Sequence, residues 1–185
     1  MILPFELDRV TKSFLFDTVA DVSLIQREYP IGKTQNISGA SNRKIKLGKE
    51  YVKSLKIGIV EFKNTFALNG VLDGLKQQIS DFGGIIGQAI INKVNSLIDY
   101  PNKKLKISNN DFTDTTFQVI KFKWIDGAPY TFITINGVEH KVLIDLGSSS
   151  EFNLPEESKL AKQLLKEYNF KNNERERYTI SGIKL

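Results

Sequence analysis

YTFITINGVEHKVLIDLGSSSEFNLP, residues 130–155, decides how this chain folds. From 130 to 135 aromatic and aliphatic residues alternate with Thr, the pattern of a strand that buries one face. Asn136-Gly137 then supplies the two left-handed positions of a tight hairpin, and 139–144 runs back antiparallel. Asp145 stands where the second strand stops. Gly147 and the hydroxyl run that begins at Ser148 let the backbone turn sharply, which holds the Asp145 carboxylate on the floor of a loop.

A second stretch follows the same plan. Residues 12–20, KSFLFDTVA, parallel 141–148, KVLIDLGS, with an apolar run ending in Asp17 as the other ends in Asp145. Ile37-Ser38-Gly39 followed by IKL at 45–47 recurs as Ile180-Ser181-Gly182 followed by IKL at 183–185. Two landmarks in the same order describe a divergent tandem repeat in which each copy offers one carboxylate. The polar stretch 108–114, SNNDFTD, divides them, so the expected lobes are residues 1–109 and 110–185.

Strand, turn, strand and then apolar-apolar-Asp-x-Gly-Ser resembles the active-site segment of the aspartic peptidases of the retropepsin and pepsin class. The resemblance implies a mainly β fold of two pseudo-symmetric closed β lobes with short helices. It implies an endopeptidase in which Asp17 and Asp145 share one water, without cofactor or metal, and an extended polypeptide as substrate. Thr18, Val19, Leu146, Gly147 and Ser148 become the site loops. Ile37, Ser38, Gly39 and Ala40, with Ser181 and Gly182 as counterparts, become the flaps that close over substrate. Ile85-Ile86-Gly87, followed by a helix, a strand, a turn and a strand, resembles the segment that backs the site loop. The chain departs from the family's Asp-Thr/Ser-Gly tripeptide once in each copy: Val19 stands in place of Gly, and Leu146 in place of the hydroxyl residue that links the loops. Those departures give a second expectation, a module that binds extended peptide without cleaving it.

Gly87 lies 87 − 17 = 70 residues beyond its acid, while the sequence runs only 185 − 145 = 40 residues beyond Asp145. The second copy is therefore expected to hold only the opening part of a lobe, completed by a missing C-terminal segment or by a partner chain, as in a homodimer.

Composition narrows the alternatives. With 41% hydrophobic and 25% charged residues in a chain of 185, a packed core is expected and disorder is excluded. The absence of cysteine removes disulfides and thiolate chemistry, and a single His, His140, gives Ser148 no convincing triad partner and makes a transition-metal site improbable. The net charge of +5 comes from lysines alternating with apolar residues, as on solvated strand faces, so no nucleic-acid partner is expected. No apolar run of spanning length and no signal peptide stand in the sequence, and compartment stays unassigned, since a removed leader would leave the same chain.

Taken in order, 2–7 reads as a short strand and 14–16 and 22–25 as strands flanking the first loop, with the hairpin before Asp17 abbreviated. Residues 34–68 alternate as antiparallel strands around a turn at 39–42, and 69–82 is turn-rich. A helix is expected over 88–95, then strands at 96–100 and 104–107 and one long strand over 115–124. Pro155 opens a helix running to about Tyr168, with acids in its first turn and Leu160, Ala161, Leu164 and Leu165 on its apolar face; 178–185 returns to strand.

Overall fold

The structure is a computed structural model that describes residues 1–38, 43–102, 104–114, 116–149, 152–155, 157–168, 177–180 and 182–184. It is mainly β. The strands are β1 (Ile2–Leu7), β2 (Val10–Phe16), β3 (Ser23–Gln26), β4 (Thr34–Ser38), β5 (Lys44–Ile57) and β6 (Val60–Gly70). A helical turn α1 (Asp73–Lys76), β7 (Phe82–Ile86), a second turn α2 (Gln88–Ile91), β8 (Asn95–Asp99) and β9 (Lys104–Ser108) follow. The remainder is β10 (Phe122–Ile125), β11 (Ala128–Ile135), β12 (Val138–Leu143), helix α3 (Lys159–Glu167), β13 (Arg177–Thr179) and β14 (Gly182–Lys184).

The first seven strands form one sheet in the order β1-β2-β7-β3-β6-β5-β4, and β5 returns to pair with β1 at Glu6↔Lys56 and Leu7↔Leu55. Six strands thus close into a barrel, which removes all but one edge, and β4 rides on that edge. The closure follows from alternation: Leu3, Phe5 and Leu7 of β1 and Phe14 and Phe16 of β2 point inward and are buried. Phe5 and Phe14 meet edge to face, 5.5 Å between ring centres. β7 inserts between β2, to which it runs parallel, and β3, to which it runs antiparallel. It is buried along its whole length, which explains why Phe82-Gly83-Gly84-Ile85-Ile86 reads as a continuous small and apolar run rather than as an alternating one.

Residues 122–143 form a separate three-stranded sheet, β10-β11-β12. Asn136 and Gly137 have φ of 50° and 77°, the left-handed pair that a two-residue hairpin between right-twisted strands demands.

Several expectations need correction. The hairpin before Asp17 is complete: β1 and β2 pair over six positions and turn at Asp8-Arg9, φ 49° and 74°. No glycine marks that turn, which hid it. The 115–124 stretch is not one strand; Asp114 accepts bonds from the Thr116 amide and hydroxyl, winding a local turn, and pairing starts only at Phe122. The helix expected over 88–95 ends at Ile91, and Asn95 already opens β8. The last helix starts after Ser158, not at Pro155, because Ser158 Oγ accepts from Ala161 N at 3.1 Å and caps it; no acid lies in its first turn, and Leu165 faces solvent. The 69–82 stretch contains α1, and the final strand is a hairpin, β13–β14. The turn at 39–42, together with Ser181, lies outside the described residues.

Candidate functional site

Asp17 and Asp145 each follow the second strand of a hairpin, and the two hairpins pair in matching register. Every landmark of one is offset by the same interval from the other: 145 − 17 = 128 for the acids, 136 − 8 = 128 for the turns. Phe16 N donates to Met1 O at 2.8 Å and Ile144 N donates to Pro129 O at 2.9 Å, again 128 apart at both ends.

The loops behave alike. Asp17 Oδ1 accepts from the amides of Val19 at 2.8 Å and Ala20 at 3.2 Å. Asp145 Oδ1 accepts from those of Gly147 at 2.9 Å and Ser148 at 3.1 Å. Each carboxylate is thereby fixed by its own loop with one oxygen engaged. Val19, which stands in place of Gly, does not have a positive φ, and its amide bonds the acid of its own loop as that of Gly147 does.

The two loops touch. Thr18 Oγ1 donates to Ile144 O at 2.6 Å and accepts from Leu146 N at 3.0 Å, so one hydroxyl spans the gap in both directions. Leu146 offers only its backbone to this link, and its half-buried side chain packs against the barrel core cluster. Gly147 lies against the Asp17 carboxylate: an added Cβ would stand 2.5 Å from Asp17 Cγ. At this position glycine is required by proximity rather than by backbone angle. A further junction forms where Asp21 meets the β10–β11 turn, since a Cβ on Gly127 would stand 2.5 Å from Asp21 Oδ1.

β7 and the residues after it hold the first loop from behind. Asp17 N donates to Ile86 O at 3.0 Å, Gln88 N to Ala20 O at 2.8 Å, and Gly87 N to Ser23 Oγ at 3.1 Å. The Gln88 side chain also donates to Thr18 O. Ser23 and Gln88, both buried, were missed in the sequence; the available signal was a lone polar residue inside each apolar run.

Of the flap candidates, Ile37 and Ser38 lie on β4 opposite Ile45 and Lys44, Gly182 opens β14 opposite Thr179, and Gly39, Ala40 and Ser181 lie outside the described residues. Ile37, Tyr178 and Ile180 pack against one apolar cluster that includes Leu24, Leu72 and Ile85. Asp99 is a turn residue, its two oxygens held by Asn102 at 3.1 and 2.8 Å.

The two acids differ in burial. Burial pushes the Asp17 carboxyl above its ordinary value, the amides of Val19 and Ala20 pull against this, and the charge of Asp145 adds to the rise. Asp145 is exposed. The two carboxyls thus stand on adjoining loops, one partly buried and the other exposed. Among the described residues no group of three or more His, Asp or Glu could hold a metal ion, and no helix is long and apolar enough to cross a membrane.

No family model and no curated protein sequence matches the chain. Among solved structures the chain is similar to a retropepsin-like aspartic protease from Rickettsia conorii, at 21% identity and a TM-score of 0.41, over 58% of this chain and 88% of that one.

Proposed function

We propose that this chain is an aspartic-type endopeptidase in which Asp17 and Asp145 activate one water. The observation that carries the reading is the joining of two carboxylate-bearing loops by the Thr18 hydroxyl. Asp17, whose carboxyl burial pushes above its ordinary value, is the acid that in its protonated form hydrogen-bonds the carbonyl of the scissile peptide. Asp145 takes a proton from the water as it attacks the carbonyl carbon, and the pair then returns a proton to the leaving amine. The flaps would be the β4–β5 connection and the β13–β14 hairpin, whose described residues border the same apolar cluster as Ile85. An extended substrate lying there would bind by strand-like pairing. Residues 1–109 and 110–185 are read as the two lobes.

The test is cleavage of a mixed peptide library at mildly acidic pH, followed by mass spectrometry. Wild type cuts, and Asp17→Asn and Asp145→Asn each lose at least about a hundredfold in rate, the scale expected when a general acid or base is removed. Equal cleavage by all three would show a contaminant and overturn the proposal. The second reading, peptide binding without hydrolysis, is favoured by the exposure of Asp145; it predicts saturable peptide binding with no cut products.

A further inference from the structure

Lysines that alternate with apolar residues along β10 and β12 converge in the fold. Lys123 lies opposite Tyr130, which lies opposite Leu143, and Phe132 lies opposite Lys141, so these five side chains share one face of the three-stranded sheet. It is the outer face. Pro129 and Thr131, on the other side of β11, are buried, while Lys123, Phe132, Lys141 and Leu143 are exposed.

Each lysine leans diagonally across the sheet onto a ring of β11. Lys123 Nζ stands 5.7 Å from the centre of the Phe132 ring, and Lys141 Nζ stands 4.7 Å from that of Tyr130. A ring beneath an ammonium group holds it in place without neutralising it. Among the described residues neither lysine makes an ion pair. The acid that follows Lys141 on this face, Glu139, stands one row further on, opposite Thr134. Two seated, uncompensated positive charges therefore sit above the central strand of an exposed sheet.

We infer that this face docks an acidic polypeptide segment in extended conformation, with carboxylates at alternate residues. Charge selects the acid, and spacing selects the alternation. Tyr130 and Phe132 are two residues apart on β11, about 6.8 Å, which is also the interval between alternate side chains of any extended chain, and each ring carries one ammonium group. The seating of the lysines disfavours other anions. A single-stranded nucleic acid binds such a surface by stacking bases on open aromatic faces, and here the ammonium groups cover them. A membrane surface is met by large apolar side chains that stand clear of the cations, whereas the Phe132 ring lies beneath Lys123. The inference concerns a surface outside the carboxylate pair and stands whether or not the chain hydrolyses peptide.

An NMR titration of the whole chain at neutral pH, where glutamates are ionised, tests it with a short peptide in which Glu alternates with Thr. The amide signals of Tyr130 and Phe132 should shift saturably, and binding should weaken as salt is raised. Lys123→Gln and Lys141→Gln should each raise the Kd about two- to fivefold, while Lys123→Arg and Lys141→Arg, which keep the charge on the ring, leave it nearly unchanged. Both lysines are exposed, so the folding of the variants is not at stake. Equal binding of a peptide with Gln in place of Glu, or of one whose glutamates are consecutive, would overturn the inference. So would shifts confined to other lysine-bearing strands such as β5 and β9, or unaltered binding by the double variant Lys123→Gln/Lys141→Gln. Tighter binding through the same two lysines of an oligothymidylate, or of vesicles containing phosphatidylserine, would overturn it in favour of a nucleic acid or a membrane.

Discussion

Thr18 donates to Ile144 O and accepts from Leu146 N while being buried itself, so its hydroxyl ties the Asp17 loop to the Asp145 loop in both directions. Removing it strands a carbonyl and an amide in a part-buried place, whereas shortening it keeps both bonds. Thr18→Val should therefore cost roughly 1–3 kcal/mol of stability and Thr18→Ser much less, as read by urea denaturation. At the same scale the sequence was legible in one respect and misleading in another. The ends of the strands before Asp17 and Asp145 could be read because an apolar run stops there at a turn. The substitution of Val19 looked damaging because a β-branched residue resists left-handed backbone, yet the loop asks only for its amide. Gly147 is the reverse case: its reason is the Asp17 carboxylate pressed against it, a long-range contact that local sequence does not encode.

At the scale of elements, the two matched hairpins pose a controlled comparison. Arg9 and Gly137 occupy equivalent left-handed positions, φ 74° and 77°, and nothing lies within 4 Å of a Cβ built on Gly137. Arg9→Gly should stabilise the chain and Gly137→Ala destabilise it, each by about 1 kcal/mol, through backbone preference rather than contacts. Thermal or urea unfolding of the two variants checks this; shifts of the same sign would contradict it. The comparison also explains what the sequence hid. Asn136-Gly137 announces its turn, so β11 and β12 were legible, whereas Asp8-Arg9 does not, and the first hairpin was read as abbreviated. Local side-chain capping accounts for the other misplaced boundaries: Asp114 winds the chain before β10, and Ser158 delays α3. Where alternation ran without such competition, as in β5 and β6, the strands could be read directly.

For the whole molecule, the fold class was legible because β alternation dominates, whereas barrel closure was reached only through the family resemblance, because the β1–β5 contact joins residues about fifty apart with no local signal. What the two halves build together is electrostatic as well as geometric. Asp17 binds its proton more tightly in the fold than in the unfolded chain, where its ordinary value is 3.8. Its contribution to stability is therefore full below that value and is lost as pH rises through the raised one. Asp17→Asn, neutral at every pH, should be more stable than wild type at neutral pH, with the advantage shrinking as the solution is acidified toward 3.8; urea titrations at several pH values measure it. The most direct test of the account is whether the two acids form one ionising unit, and carbon NMR of the Asp17 carboxyl answers it in wild type and in Asp145→Asn. The account predicts an Asp17 midpoint above 3.8 that falls when the neighbouring charge is removed. A midpoint that Asp145→Asn leaves unmoved would mean that the carboxylates do not share a proton, and would contradict the paired-acid site.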